Sequence, residues 1–262
     1  MDNRKIGVFD SGIGGLTVVK ALFDVLPNEG LIYFGDSLHV PYGNRPKADI
    51  TRLASRIVKF LINNDIKAIV AACNTVSSLC IDEIRDIAQI PVIDVLTPGA
   101  AAAAKAASEG VGVIATFNAV QSGAHKEIIH KVDPLIEVYA LSCPLLVPIV
   151  EEGLCETEIA YVTARHYLSQ LNEDKIDCLL LGCTHYPLLM NALKAATQAP
   201  LFDPAVYAAA AIKDCLAERN AFAEEDTPGR HHEFFTSGNV EAFKNQVQRI
   251  LGFLPKCERA LY

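Results

Sequence analysis

The chain has 262 residues, 51% of them hydrophobic, and a formal net charge of −8 at pH 7. This length allows one large or two modest domains, and the apolar fraction supports a large buried core. The acidic balance argues against a protein that binds nucleic acid or a membrane surface, and neither a signal sequence nor a bilayer-spanning apolar stretch is evident. We therefore expect a cytoplasmic protein without nucleic-acid or membrane partners.

Apolar runs typical of β-strands alternate along the chain with helical patterns, which indicates βαβ units and a parallel sheet. Helical spacing of apolar residues covers Asp49–Asn63, and a second apolar stripe runs from Val76 to Ala88. In this first part of the chain, strands are predicted at residues 6–9, 31–34, 66–71 and 92–95.

The same order of segments returns between 105 and 110 residues later. Residues 7–9 (GVF) correspond to 112–114 (GVI), and residues 66–70 (IKAIV) to 176–180 (IDCLL). Further matches in the same order join Ser11 to Thr116, Tyr33 to Tyr139, Val40-Pro41 to Val147-Pro148, and residues 90–94 to 199–203. The consistent order predicts a duplicated half.

The remaining segments connect or extend these two halves. An alanine-rich helical stretch at 96–110 is expected to carry the chain into the second lobe. After Pro204 the sequence predicts a helix at 208–216, a polar surface loop at 218–233, a strand at 234–236 and a helix at 240–251 that packs back onto the first lobe. The predicted domains are residues 1–97 plus 208–262 and residues 98–207.

Two cysteines occupy equivalent places in the halves: Cys73 follows the first of the matched apolar runs and Cys183 the second. The carboxyl ends of parallel strands are where ligands bind in α/β sheets. Two equivalent thiols suggest a base on one face of a carbon and an acid on the other, as in a racemase or epimerase. Each thiol is predicted at a strand-to-helix turn, where amide N–H groups and the helix dipole favour a thiolate.

The eight cysteines of the chain could also form disulfides, pack in the interior or bind a metal. We expect no disulfides because the chain is long, core-rich and lacks a secretion signal. Cys80, Cys178 and Cys215 are predicted simply to pack in the interior. Cys183 and His185 could supply two metal ligands, but no second pair is evident, so no metal is predicted.

The segment Asp10–Gly15 (DSGIGG) follows the first predicted strand. Its glycines would let the backbone approach an anion at the next helix N-terminus. A dinucleotide fingerprint would need glycine where Thr17 stands, so nucleotide binding is the poorer interpretation. Asp10 either accepts a proton from a thiol or caps the helix, and His185 either assists Cys183 or is a hydrogen-bonded core residue.

At these positions the chain resembles glutamate racemases, cofactor-independent enzymes that supply D-glutamate for peptidoglycan. The matching segments are residues 10–15 (DSGIGG), 41–43 (PYG), 72–75 (ACNT) and 182–189 (GCTHYPLL). The resemblance implies an α/β fold of two pseudo-symmetric parallel-sheet lobes with the active site between them. It also implies a homodimer that needs no cofactor.

The resemblance further assigns a role to each site residue. Cys73 is expected to be the acid/base for D-glutamate, assisted by Asp10. Cys183 is expected to be the acid/base for L-glutamate, assisted by His185 and Glu151. The implied substrate contacts are Asp10, Ser11, Tyr42, Gly43, Asn74, Thr75, Thr116, Thr184 and His185.

Several positions depart from the family pattern. Residues 37–39 are Ser-Leu-His where Thr-Ala-Arg is usual, Ala119 replaces a threonine, and Asp94 replaces a glycine. These departures leave both thiols intact and bear on substrate affinity and regulation. The alternatives are a racemase of aspartate or another acidic amino acid, a binding module without catalysis, and a nucleotide-binding enzyme.

Overall fold

Two parallel β-sheets organise the computed structural model, which describes residues 1–172, 175–224 and 232–260. The first sheet has six strands in the order β10-β9-β2-β1-β3-β4, and the second has four in the order β6-β5-β7-β8. The strands are β1 (Ile6–Asp10), β2 (Leu31–Gly35), β3 (Ala68–Ala71), β4 (Val92–Asp94), β5 (Gly110–Ala115), β6 (Glu137–Ser142), β7 (Cys178–Gly182), β8 (Leu201–Phe202), β9 (Glu233–Thr236) and β10 (Cys257–Arg259).

Helices connect the strands and cover the sheets. They are α1 (Leu16–Val25), α2 (Lys47–Asn63), α3 (Asn74–Leu79), α4 (Ile81–Ala88), α5 (Leu96–Ala106), α6 (Phe117–Ser122), α7 (Ala124–Val132), α8 (Leu146–Glu151), α9 (Glu158–Leu168), α10 (Met190–Lys194), α11 (Pro204–Glu218) and α12 (Val240–Leu251), with a 3₁₀ turn at Tyr186–Leu189. None of the described helices is long and apolar enough to cross a membrane.

The strand order confirms the duplicated half. The order β2-β1-β3-β4 in the first sheet is repeated by the equivalent strands β6-β5-β7-β8 in the second sheet. The pairing also refines the sequence matches. Gly7 pairs with Ile32, and its counterpart Gly112 pairs with Tyr139. Tyr139 therefore corresponds to Ile32, and the predicted match with Tyr33 is wrong by one residue.

Burial explains why the strands of the first sheet could be predicted. Strands β1, β2 and β3 are buried along their whole length, so each one is a nearly continuous apolar run. The C-terminal strand β9 pairs with β2 and makes it an internal strand, as expected for a chain end that packs back onto the first lobe. In the second sheet β6 is one of the two edge strands and is only partly buried.

Most predicted helices are confirmed, but the stripe from Val76 to Ala88 forms two helices instead of one. The backbone leaves the helical region at Cys80, where φ is −145°. Just before this break, the Ser77 hydroxyl donates to the Cys73 carbonyl at 2.9 Å and the Ser78 hydroxyl to the Thr75 carbonyl at 3.0 Å. Such side-chain bonds to the preceding turn bend helices.

The two lobes share packed helices rather than a bare linker. Helices α5 and α11 pack against each other, and α11 also packs on α1. The largest buried apolar cluster includes Val8 of the first sheet, Ile212 of α11 and Ile114 of the second sheet, so it is continuous between the lobes. The predicted domain limits after residues 97 and 207 fall within α5 and α11 and remain a proposal. The predicted surface loop at 218–233 lies partly outside the described residues.

Candidate active site

A small cavity lies between the lobes, where the carboxyl ends of β1, β3, β5 and β7 converge. Both repeat-related thiols belong to its lining, which consists of Ser11, Pro41, Tyr42, Gly43, Cys73, Asn74, Thr75, Thr116, Val147, Cys183, Thr184 and His185. The cavity is nearly sealed, since only 4% of Cys73 and 5% of Cys183 are exposed. A wider groove beside β9 and β10 has no thiol in its lining.

Cys73 immediately precedes α3, in the extended conformation of a residue that caps a helix. Its thiol donates to the Ser11 hydroxyl at 3.7 Å. Burial raises the pKa of Cys73 to about 12, and the charge of Asp10 adds to this, while hydrogen bonds with the Val76 N–H and Ser11 lower it. The predicted thiolate-favouring turn is thus present, but the expectation of a lowered pKa is wrong for Cys73 because burial outweighs it.

Cys183 has a different set of neighbours. Its sulfur lies 3.8 Å from His185 Nδ1, and His185 Nε2 lies 2.6 Å from Glu151 Oε1. Burial opposes a charged ring, but the hydrogen bonds and charges of Cys183 and Glu151 outweigh it and raise the pKa of His185 well above its ordinary value. Burial likewise opposes the Glu151 carboxylate, but the contact with His185 and the Ile13 N–H lower the pKa of Glu151 overall.

These contacts form a chain from Glu151 through the imidazolium of His185 to the Cys183 sulfur. The His185 ring thus joins a thiol of the cavity to a carboxylate, and its role in assisting Cys183 stays a prediction.

Asp10 is completely buried, and its carboxylate connects the two lobes. Oδ1 accepts from the Gly12 N–H at 2.9 Å, and Oδ2 accepts from the Thr184 hydroxyl at 3.0 Å. Burial raises the pKa of Asp10, and the positive charge of His185 offsets this in part. Helix α1 begins at Leu16 without a side-chain cap, so the capping interpretation of Asp10 is wrong.

The glycines of the DSGIGG segment approach the second lobe instead of an external anion. The Ile13 N–H donates to Glu151 Oε1 at 3.2 Å, so the carboxylate at this loop belongs to the chain itself. A Cβ on Gly12 would lie 2.3 Å from Glu151 Oε1, and one on Gly14 would lie 2.4 Å from His185 Nδ1. Side chains at these two positions would displace the pair that contacts Cys183.

Of the residues predicted to contact substrate, all but Asp10 line the cavity. Glu151 lies behind His185, outside the lining. Thr75 Oγ1 and Thr116 Oγ1 meet across the lobe boundary at 3.0 Å. The Asn74 side-chain nitrogen is buried and has no hydrogen-bond partner among the residues that the structure describes. The roles assigned to these residues remain predictions.

The departures from the family pattern lie outside the cavity lining. Ala119 is completely buried in the core of the second lobe, where its N–H donates to Thr116 at the start of α6. Asp94 accepts from the Thr97 N–H at 2.7 Å and from Arg85 at 2.9 Å, which fixes the start of α5. His39 Nδ1 lies 2.8 Å from Asp36 Oδ1.

Sequence reasoning missed two residues that support the cavity wall. Asp36 is buried and accepts hydrogen bonds from the hydroxyls of Tyr42 and Ser237. Its place directly after β2, where the carboxyl end of a parallel strand is exposed to ligands, was the available signal. Asn118 on α6 bonds to the loop that carries Tyr42, and no motif marks it.

All eight cysteines lie within the described residues and are free thiols. Cys80 and Cys178 are buried as predicted, whereas Cys215 is only partly buried. Within the described parts of the chain, no three histidine, cysteine, aspartate or glutamate side chains are grouped to hold a metal ion.

Comparison with known proteins agrees with this site. Residues 6–212 match the Asp/Glu/Hydantoin racemase family. A glutamate racemase from Geobacter metallireducens is 40% identical over 252 residues, which cover 95% of this chain and 93% of that protein. A crystal structure of glutamate racemase from Francisella tularensis in complex with D-glutamate is 39% identical in sequence and gives a TM-score of 0.92. The match covers 100% of this chain and 98% of that one.

A glutamate racemase isoform from Bacillus anthracis gives a TM-score of 0.94 at 33% identity, with 100% of this chain and 98% of that one covered. The predicted fold of two α/β lobes is therefore confirmed by both the strand order and these structures. Since the family match spans most of the sequence and relatives near 40% identity cover almost all of it, the chain belongs to the Asp/Glu/Hydantoin racemase family and is an isomerase.

Proposed function

We propose that this enzyme interconverts L- and D-glutamate by transferring protons between two opposed thiols, Cys73 and Cys183. The observation that carries the proposal is that thiols from equivalent positions of the two halves line one small cavity between the lobes. Such a pair can place a base on one face of a carbon and an acid on the other.

The charges around the two thiols suit opposite protonation states. Burial keeps Cys73 a neutral thiol, since its pKa is raised to about 12. Cys183 has the opposite surroundings, because its sulfur lies 3.8 Å from His185 Nδ1 and the raised pKa of His185 keeps that ring positively charged. We infer that the enzyme in this state receives L-glutamate, with Cys183 as the base and Cys73 as the acid.

In that direction, the Cys183 thiolate takes the α-proton and leaves an electron pair on the α-carbon. The Cys73 thiol then gives its proton to the opposite face, which yields D-glutamate, a Cys183 thiol and a Cys73 thiolate. Asp10 assists Cys73 in the reverse direction, because its buried carboxylate disfavours the Cys73 thiolate and so makes that thiolate a stronger base toward D-glutamate. His185 and Glu151 assist Cys183.

The rest of the cavity offers partners for the charged groups of an amino acid. The unpartnered Asn74 amide can donate to a carboxylate, and the hydroxyls of Ser11, Thr75, Thr116 and Thr184 can donate or accept. Because both thiols are sealed from solvent, the lobes must separate to admit substrate and close again to exclude water. Supply of D-glutamate for peptidoglycan, a cytoplasmic location and a homodimer belong to the same proposal.

Incubation of the enzyme with L-glutamate in deuterated water tests this function. The D-glutamate formed should carry deuterium at the α-carbon, without added pyridoxal phosphate or metal. A Cys73→Ser/Cys183→Ser variant should be slower by at least about 10³-fold, because a positioned acid or base contributes about 10²–10⁴-fold. Normal racemisation by this variant would refute the assignment of the thiols.

The substrate is tested separately by comparing kcat/KM for glutamate and aspartate. We expect glutamate to be preferred. A higher kcat/KM for aspartate would retain the two thiols but replace the substrate.

A further inference from the structure

Asn118 joins the second lobe to the loop of the first lobe that carries Tyr42 and Gly43. Its backbone N–H donates to the Gly43 carbonyl at 3.0 Å. Its side-chain amide donates to the Arg45 carbonyl at 2.8 Å and to the Tyr42 carbonyl at 3.3 Å. One residue of α6 thus binds three carbonyls of one loop across the lobe boundary.

The side chain of Asn118 is not needed for its own helix. Thr116 caps α6 by accepting from the Ala119 N–H, so the Asn118 amide has no role in starting the helix. Both of its N–H donors point to the opposite lobe instead, at the place where the hydroxyls of Thr75 and Thr116 also meet.

The hydrogen bond from Asn118 to the Tyr42 carbonyl fixes the orientation of the peptide group between Tyr42 and Gly43. In a trans peptide the C=O and N–H point in opposite directions, so the Gly43 N–H points away from Asn118. Gly43 lines the cavity, and its N–H makes no hydrogen bond to any described residue. A buried backbone N–H without a protein partner is rare, and a bound ligand is one way to satisfy it.

Both ends of this peptide are held in place. The Tyr42 hydroxyl donates to the buried Asp36 carboxylate. On the other side, a Cβ on Gly43 would lie only 2.8 Å from the Thr116 Cβ, so the loop is packed directly on the second lobe.

We propose that Asn118 is a positioning residue that sets the Tyr42–Gly43 peptide so that the Gly43 N–H donates to a carboxylate of the substrate when the lobes close. This rests on the proposed function, because the ligand is an amino acid with carboxylate groups. Asn118 acts through Gly43 and takes no part in moving the α-proton. Loss of its amide should therefore weaken substrate binding and leave the chemical step intact.

Three variants test the proposal. Asn118→Ala removes both side-chain donors, and Asn118→Asp keeps the size but turns an anion toward the carbonyls of Tyr42 and Arg45. Gln121→Ala is a control at an exposed position on the same helix. We expect Asn118→Ala to raise KM about tenfold for both L- and D-glutamate, because the variant loses two hydrogen bonds that hold the loop. The value of kcat should change little. Asn118→Asp should raise KM further. Gln121→Ala should match the unchanged enzyme.

Amide hydrogen exchange gives a second readout that does not depend on turnover. Exchange of the segment 42–45 should be faster in Asn118→Ala, while exchange of β5 should stay the same. An unchanged KM, or a lower kcat at constant KM, would overturn the proposal, and so would unchanged exchange of 42–45. If the unmodified enzyme did not turn over glutamate, the proposed function would fail first, and the exchange measurement alone would then decide the role of Asn118.

Discussion

Cys73 and Cys183 share a cavity but differ in their charged neighbours. Cys73 has the Asp10 carboxyl nearby, and burial further disfavours its thiolate. Cys183 contacts His185, whose own charge is stabilised by Glu151. Pairs of groups whose surroundings favour opposite protonation states are typical of acid/base sites. In the proposed mechanism, this asymmetry lets Cys73 begin as the acid and Cys183 as the base.

The pH dependence of the enzyme should depend on Glu151. Because the pKa of His185 is raised, its ring stays charged at neutral pH and loses its proton only as the pH rises through that elevated value. In Glu151→Gln, burial should dominate and keep the ring neutral at pH 7. We expect activity to fall by about 10²-fold, with the remaining activity shifted toward lower pH.

A pH–rate profile, together with NMR titration of the His185 ring, measures this shift. Glu152→Gln is the matched control because Glu152 is the exposed neighbour of Glu151 in the chain. If Glu151→Gln kept the profile of the unmodified enzyme, the proposed link from Glu151 through His185 to Cys183 would be wrong.

Helix α12 shows how an element of one lobe supports the site in the other. Gln246 donates to the Glu151 carbonyl at 3.1 Å, and Arg249 donates to the Val150 carbonyl at 3.4 Å. These carbonyls lie in the last turn of α8, whose C=O groups have no partners further along the helix. The Val150 carbonyl also accepts from the Gly153 N–H at 3.0 Å. The C-terminal helix therefore fixes the end of the helix that carries Glu151.

At the opposite end of the first sheet, a buried ion pair joins segments that are far apart in the chain. Lys67 Nζ lies 2.6 Å from Glu29 Oε2, and both side chains are at most 2% exposed. Lys67 also donates to the carbonyls of Asp2 and Ala221, each at 2.7 Å, and Glu29 accepts from the Ala223 N–H at 2.8 Å. The pair thus connects the N-terminus and the segment after α11 to the start of β3.

Removing one partner of this pair should be costly, because it leaves the other charge buried and unpaired. We expect Lys67→Met to lower the free energy of unfolding by about 3–5 kcal/mol. Lys67→Met/Glu29→Gln should recover part of that loss, since no uncompensated charge remains. Urea denaturation of the three proteins gives these values. If Lys67→Met lowered the free energy of unfolding by less than about 1 kcal/mol, the ion pair would not stabilise the connection between these segments.

Across the whole molecule, the sequence could predict what depends on local pattern and on the repeat. The buried strands were recognisable as apolar runs, and the duplicated order placed Cys73 and Cys183 at equivalent points. The break at Cys80 was not predictable because neither glycine nor proline marks it. The role of Asn118 was hidden for another reason, since its partners lie more than 70 residues away and meet it only when the lobes pack.

The glycines of the DSGIGG segment illustrate the same difference. Their presence indicated a close approach, but the sequence could not say to what. The approaching groups are Glu151 and His185, which come from the other half of the chain. A close contact between lobes is a property of the whole molecule, so the motif predicted the need for glycine but not its partner.

The most direct test of the two-thiol account is the primary deuterium isotope effect of single variants with L- and D-glutamate labelled at the α-carbon. In Cys183→Ser, proton transfer at the L-facing group should limit the rate in both directions. The isotope effect on kcat/KM should then be large with labelled L-glutamate and nearly absent with labelled D-glutamate. Cys73→Ser should show the reverse. Equal isotope effects for both enantiomers in each variant, or the same asymmetry in both variants, would contradict the account.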